Sequence, residues 1–438
     1  MHSFKKSALT CAVAALTLGS QIASANFSNL YEDASVSGKL RVTHYDIQKS
    51  DKADNSSSAA GATTGGLMLD AKSGYAWDII GFDASLYSAV KLRMDENNSH
   101  SNQLLNDDNK GFSKIGQAYV KVKLGNDDLN GKLQAGRQII YNGLISSSGS
   151  RTVPSSWQGY NLTGNAFGVS YGLAYVDQMS LRSEAGFHKL ENFDGKRIDY
   201  VMGGQLGYKI GGLDLMYRNA FSKDFLQAHN FNAAYTFNLA ENTDLTVGGR
   251  YFVTKEDGDL WTGTTWDGDT NFNDKAQNFS LNAKLAMNDW TVVAAVSKTK
   301  AEYNKAGELG KYYYDFGKNT HGIWGLETSG FAEDFMYDGE TAWMAGAQYD
   351  FANLGVKGLN VGYFFHYGSG MELNNKKLSE EEHDLLVTYA FQQESLKGLS
   401  FKMKYGLYRT NDKELRDYIG YGKRDDLRVW LDYKFVAF

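Results

Sequence analysis

From about residue 35 to the C-terminus, apolar and polar residues alternate at every second position in segments of about ten residues, divided by clusters of Gly, Asn and Asp. Period two is the repeat of a β-strand, whose successive side chains point to opposite faces. In the first segment Val36, Leu40 and Val42 share one face, while Ser37, Lys39, Arg41 and Thr43 share the other. Between 82 and 94 the division is sharper: Phe82, Ala84, Leu86, Val90 and Leu92 oppose Asp83, Ser85, Tyr87, Lys91 and Arg93. A soluble sandwich would bury the apolar face and wet the polar one. A membrane barrel inverts this, with the apolar face in lipid and the charged face lining a wet lumen.

Connection lengths separate the two cases. Long polar stretches fall near 48–65, 95–111, 139–164, 256–275 and 300–338, and tight Gly/Asn/Asp turns near 125–128, 209–212, 240–243, 353–357 and 395–398. Long and short connections in alternation are expected of a barrel with short turns on one side and long loops on the other. Counting on this basis gives an all-β chain, a transmembrane antiparallel β-barrel of about 18 strands with one loop folded into the lumen. The last segment presents Leu427, Val429, Leu431, Tyr433 and Phe435 on one face and ends in Phe438, out of phase with them. A terminal aromatic suits the outer membrane assembly machinery, which is one expected partner; outer membrane lipid and lipopolysaccharide are others.

Lys5 and Lys6, an apolar run over 8–18 and the small residues Ala23-Ser24-Ala25 have the form of a signal peptide, which places a leader at 1–25 and a single barrel domain at 26–438. Cys11, the chain's one cysteine, lies in that leader, so the expected mature protein has no disulfide and no thiolate metal site. Beyond the leader no apolar run is long enough for a membrane helix. With 45 basic against 51 acidic residues the net charge is −6, which argues against nucleic acid as a partner. No cofactor and no resident metal are expected.

The stretch 136–164 holds the chain's one proline, Pro154, and its centre at 146–156 is rich in Ser and Gly, without a periodic apolar face. It reads as a long ordered loop, anchored by Tyr141, Trp157 and Tyr160 and folded inward so that Arg151 faces the passing solute. Strand parity directs Lys39, Arg41, Lys91, Arg93, Lys121, Lys123, Arg218, Arg250 and Lys284 into the lumen, since each alternates with apolar neighbours. A charge on the lipid face near the midplane would cost roughly 2–4 kcal/mol. By the same parity Asp83 is an acidic lumen residue.

Gly168-Val169-Ser170-Tyr171-Gly172 matches the G-x-S-x-G nucleophile pattern, yet Phe167, Val169, Tyr171, Leu173 and Tyr175 alternate as a strand where the motif needs a turn and a helix. His366 and His383 fall on separate strands without a Ser or Asp at a telling spacing. Asp267, Asp269 and Asn271 begin like a calcium loop, but Phe272 and Asn278 occupy the glycine and bidentate-Glu positions, so this is no EF-hand. Tyr312, Tyr313, Tyr314 and Phe316 read as girdle or loop-packing aromatics.

Taken together, Ser73-Gly74-Tyr75 with Gly81-Phe82, Ser150-Arg151 with Pro154 and Gly159, the run 227–239, Lys397-Gly398-Leu399-Ser400 through Tyr405 and the segment 428–433 resemble the OprD-type outer membrane porins, whose members include chitoporin-like proteins. The resemblance implies an eighteen-stranded monomeric barrel narrowed by its third external loop, with basic residues guiding small solutes that in many members carry a carboxylate. It places Ser150, Arg151 and Pro154 in the constriction, with Trp157 at a usually aromatic position. The expected function is passive, substrate-selective diffusion of small hydrophilic solutes, carboxylates such as amino acids or organic acids first. Asp83 and Ser150 are expected to orient the rest of the solute. The alternatives are a chitooligosaccharide channel, suggested by the aromatic content and Trp157, and a barrel enzyme or adhesin.

Overall fold

The structure, a computed structural model, describes residues 27–52, 56–261, 272–301, 303, 308–313, 315–320 and 325–438. The expected leader with Cys11, the acidic positions Asp267, Asp269 and Asn271, and Tyr314 lie outside the described residues. Eighteen long strands form one antiparallel sheet. The first six are β1 (Ser35–Ser50), β2 (Thr63–Lys72), β3 (Ile80–Arg93), β4 (Phe112–Gly125), β5 (Leu129–Gln138) and β6 (Ser156–Ala166). β7 (Val169–Ser180), β8 (Val201–Ile210), β9 (Leu213–Ser222), β10 (Leu226–Ala240), β11 (Thr243–Glu256) and β12 (Lys275–Met287) follow. The last six are β13 (Trp290–Lys300), β14 (Thr341–Asp350), β15 (Leu359–Leu373), β16 (Lys376–Ala390), β17 (Leu399–Arg409) and β18 (Lys423–Val436). Each pairs with its chain neighbours, and β18 pairs back on β1 from Val436–Ser37 to Lys423–Ser50. The sheet therefore has no open edge, which is what a sheet in lipid requires.

The hydrophobic distribution is inside out. Leu40, Val42, Leu86, Val90, Leu92, Leu173, Leu206, Phe279 and Leu281 are exposed on the outer wall, whereas Thr43, Asp83, Ser85, Asn230, Asn278 and Ser280 are buried inside. Connections on the side of the termini are short, as at 211–212, 241–242 and 288–289. The opposite side carries the long segments 94–111, 139–155, 181–200, 257–274 and 301–340, with two exceptions at 223–225 and 374–375. At the second of these Asn374 and Asn375 adopt φ of 53° and 62°, the left-handed pair of a type I′ hairpin that asparagine tolerates.

The long loops pack into the outer end of the barrel. Ile140, Leu144, Ile145 and Trp157 join Val176, Leu190, Phe225, Phe252, Phe272, Tyr312, Tyr313 and Phe316 in one cluster, so Tyr312, Tyr313 and Phe316 serve loop packing, one of the two readings expected of them. One correction concerns the stretch expected as loop to 164: Ser156–Ala166 is a barrel strand paired with β5 and β7. Its polar-rich composition, with Ser, Gln, Asn and Thr along the strand, concealed it.

Candidate functional site

Residues 139–155 leave β5 and run along the inner wall in both directions before rejoining at β6. On one side the Asn142 amide donates to Asn161 Oδ1 at 2.7 Å and the Gly143 N–H to Gln205 Oε1 at 3.2 Å, which seats the first turn against β6 and β8. On the other side Thr152 Oγ1 is 2.6 Å from Thr64 Oγ1 of β2, and Val153 packs with Met68, Tyr87, Ala89 and Phe112. A side chain at Gly66 would meet the Thr152 carbonyl at 2.9 Å, so glycine is needed there for the tip to reach the wall. The neck closes where the Ser155 N–H donates to Ser148 O at 2.9 Å and the Ser148 N–H to Ser155 Oγ at 2.8 Å.

Between the loop and the wall of β17, β18, Asp315 and the segment 330–334 lies a cavity of about 690 Å³. Its cations are Arg41, Arg151, Arg182, Lys402, Lys404 and Arg428, and Asp315, Asp334 and Asp432 are its acids. These cations divide by what they touch. Arg41 forks onto Asp432, with Nε–Oδ1 at 2.6 Å and Nη2–Oδ2 at 2.7 Å, and its Nη1 donates to the Gly149 and Arg151 carbonyls at 3.0 and 2.8 Å. Arg428 and Arg424 share the fully buried Asp426, each with a contact at 2.6 Å. By contrast Lys402, Lys404, Arg151 and Arg182 have no carboxylate within ion-pair distance among the described residues. The Lys404 ammonium lies 4.1 Å from the Phe331 ring centre and that of Lys402 5.8 Å from Trp430.

The second inward segment is fixed by acids. Glu382 accepts from the Ala332 and Glu333 N–H groups at 2.7 and 2.9 Å, and Asp384 from that of Phe331 at 3.0 Å. Glu333 in turn meets Arg424 Nη1 at 2.9 Å. Arg250, expected in the lumen, lies on the inner face and pairs with Glu327 at 2.7 Å while donating to Gly325 O at 2.8 Å, so it is a fastener of the same segment.

Several expected positions differ in their chemistry. Arg151 borders the cavity but does not present its guanidinium freely: Nε donates to Asn102 O at 2.7 Å and Nη1 to Tyr45 Oη and Ser150 Oγ, both at 3.2 Å. The Tyr45 hydroxyl donates to Ser150 O, so Ser150 is held from two sides. Trp157 is fully buried in the loop cluster and donates Nε1–H to Ser146 O at 3.1 Å, which removes it as a stacking surface for a solute. Tyr141 and Tyr160, expected as anchors, are both 58% exposed. Pro154 lies in the returning limb of the tip, beside the neck. Arg93 leaves the inner face altogether. A bulge puts Lys91 opposite Thr64 but Arg93 opposite Thr63, whose hydroxyl contacts His44 at 2.9 Å on the outer side.

Lys39 stays on the inner wall 3.9 Å from Asp432, and Arg218 donates to Asn230 Oδ1 at 3.1 Å. Lys91 and Lys284 are exposed at inner-face positions, opposite Thr64 and Thr246. Lys121 and Lys123 belong to a knot at the terminal side. Lys121 Nζ meets Asp83 Oδ1 at 2.7 Å and Ser73 O at 2.8 Å, Tyr119 donates to Asp83 Oδ2 at 2.8 Å, and Lys123 pairs with Asp78. Asp83 and Lys121 are thus partners inside the wall. Lys121→Ala leaves Asp83 buried without its counter-charge and is expected to destabilise the barrel by about 3–5 kcal/mol, read as a lower urea midpoint in detergent. Lys91→Ala, at an exposed position, is expected to shift that midpoint by less than about 0.5 kcal/mol.

Ser170 lies in a continuous strand, with Oγ donating to Gly207 O at 3.2 Å, and β7 leads into no helix. The fold brings His366 Nε2 to 3.2 Å from Asp384, a pair that sequence spacing did not disclose, while Nδ1 contacts Thr328 O at 2.9 Å. Lys402 and Lys404 were legible by the same parity as the others, alternating with Phe401, Met403 and Tyr405. Arg182 was not, because the segment around it has no period.

Residues 28–437 match the family described as outer membrane porin, OprD family. Among curated proteins, Porin D of Pseudomonas aeruginosa is 23% identical over 414 residues, covering 84% of each chain. Chitoporin of Escherichia coli is 22% identical over 452 residues, covering 93% of this chain and 92% of its own. The crystal structure of OccAB1 of Acinetobacter baumannii superposes with a TM-score of 0.78 at 20% identity, covering 93% of this chain and 97% of the other. A closed eighteen-strand barrel, an inward loop and a family match across nearly the whole described chain lead to one conclusion: the chain belongs to the OprD family of porins of the Gram-negative outer membrane.

Proposed function

We propose that this porin passes small anionic solutes, carboxylates foremost, by passive diffusion through the space between residues 146–151 and the wall bearing Lys402 and Lys404. One observation carries the reading: among the described residues four cations border the cavity without a carboxylate at ion-pair distance, while Arg41, Arg424 and Arg428 are already matched. An uncompensated charge in a confined, poorly screened passage lowers the barrier for an anion far more than a paired one. Asp315 and Asp334 on the same cavity favour solutes that also carry a donor, such as an amino or hydroxyl group. In this reading Lys39, Arg41 and Arg218 shape the wall, and Lys91 and Lys284 bias the wider reaches on either side. The outer apolar band contacts lipid and lipopolysaccharide, and β18 with Phe438 is what the assembly machinery receives.

Single channels in planar bilayers test this, with small carboxylates and chitooligosaccharides added as blockers. Carboxylates are expected to give the longer blockades; longer blockades by neutral sugar overturn the reading. The sugar alternative rests on the aromatic content and on Trp157 as a platform. Trp157→Ala is expected to lower stability by about 3–5 kcal/mol, seen as earlier thermal unfolding, with no selective loss of sugar over acid passage.

A further inference from the structure

Arg182 enters the cavity from the 181–200 loop and does something specific to the tip of the 139–155 loop. Its Nη1 is 2.8 Å from both Ser148 Oγ and Ser150 Oγ, its Nε donates to Gln103 Oε1 at 2.7 Å, and the two hydroxyl oxygens are 3.1 Å apart. Arg151 Nη1 adds a second donor to Ser150 Oγ at 3.2 Å. A guanidinium only donates, so both hydroxyls must accept from it. Each hydroxyl then has one O–H to give, and across the contact between them only one can donate to the other. At least one O–H is left to donate elsewhere, and the second terminal nitrogen of Arg182, Nη2, has no acceptor among the described residues. Ser148, Ser150, Arg151 and Arg182 all border the cavity, with Arg428 on the same surface and Asp315, Asp334 and the Arg41-paired Asp432 the acids facing it. Burial, and after it the neighbouring Arg151, lowers the proton affinity of the Arg182 guanidinium, as expected of cations gathered without a counter-ion.

We propose that Arg182 fixes the Ser148 and Ser150 hydroxyls as donors and that this trio, at the tip of the loop, grips the oxyanion end of the solute, a carboxylate or phosphate group. The inference rests on the anion reading above and deepens it. Lys402 and Lys404 attract any anion by charge. The hydroxyl pair with Nη2 discriminates, because an oxyanion with two or more oxygens can accept from several donors at once where chloride cannot exploit their geometry. Ser148 and Ser150 touch the solute. Arg182 acts partly through them as a positioning residue.

The test is single-channel residence time for succinate and for inorganic phosphate, each added at low concentration to channels carrying chloride current. In the Ser148→Ala/Ser150→Ala double variant residence of both probes is expected to fall about tenfold or more, a loss well beyond any change in open-channel conductance, while chloride is still preferred over potassium because no charge is altered. Arg182→Lys keeps the charge but loses the planar fork, with its Nε anchor on Gln103 and its Nη2 donor, and is expected to shorten residence likewise at unchanged ion preference. A merely structural role for Arg182 would instead change conductance as the loop shifts. Wild-type channels that prefer anions, with residence unaltered in the double serine variant, overturn the subsite and leave the anion reading standing. Wild-type channels without anion preference overturn both.

Discussion

Replacing Lys402 and Lys404 together by glutamate is expected to turn the ion preference of the channel from anions to cations. Both ammoniums stand on the inner face of β17 at the cavity, and neither has a carboxylate at ion-pair distance among the described residues. At about 7 Å from an ion on the path, one unit charge is worth roughly 0.6 kcal/mol at the dielectric of water and about 2.4 kcal/mol at an effective value of 20. The double substitution changes the local charge by four units, so even the lower value predicts a shift of more than about tenfold in the anion-to-cation ratio. Reversal potentials in a salt gradient read this, best near 0.1 M, where the screening length is about 10 Å. Arg41→Glu is the instructive contrast. It would set a second acid beside Asp432 and release the two carbonyls of the loop tip that Arg41 holds, so its effect would mix charge with displacement. An unchanged reversal potential in the lysine variant would mean that solutes do not pass along this wall.

Removing residues 149–154, with Ser148 joined to Ser155, is expected to give the largest rise in conductance. The two serines are already hydrogen-bonded neighbours at the neck, so the shortened loop closes with little rearrangement. The segment removed is the one that crosses to β1 and β2 and is held there by Arg41, Tyr45 and Thr64. An eighteen-strand barrel without such a plug encloses an open aqueous channel. Conductance should rise and the discrimination between carboxylates and sugars of similar size should vanish, while the barrel remains folded because Trp157 and its cluster stay in place. Conductance equal to that of the intact channel would show that the narrowest point lies elsewhere, with the segment 325–334 as the next wall to shorten.

What the sequence disclosed follows the range of the physics involved. Strand parity is local, so the outward Leu86, Val90 and Leu92 and the inward Lys39, Arg41 and Asp83 could be read directly. Parity fails where a bulge inserts a residue, and nothing in the residues around Thr63 and Thr64 announces the one that carries Arg93 to the outer face. It also says where a side chain points without saying what it meets. Lys121 points inward as expected, but Asp83 has already matched it. The tip of the loop was legible as a loop, because Ser, Gly and Pro leave no periodic face. Its chemistry was not, since Arg151 is turned aside by Asn102 and Tyr45, and Ser148 is oriented by Arg182, all from distant parts of the chain. Trp157 illustrates the same limit: an aromatic beside a polar loop reads equally as a platform or an anchor, and only the assembled cluster decides.

The seam between β1 and β18 has a consequence for how the protein is made. Ser37 and Val436 pair across nearly the full chain, so the last closure joins ends separated by roughly 400 residues, an entropic penalty of about 5 kcal/mol for a flexible chain. Until that strand arrives, every preceding hairpin is part of a sheet with two raw edges. Closure therefore depends on β18 itself, and a barrel lacking that strand is an unclosed sheet that the bilayer cannot accommodate.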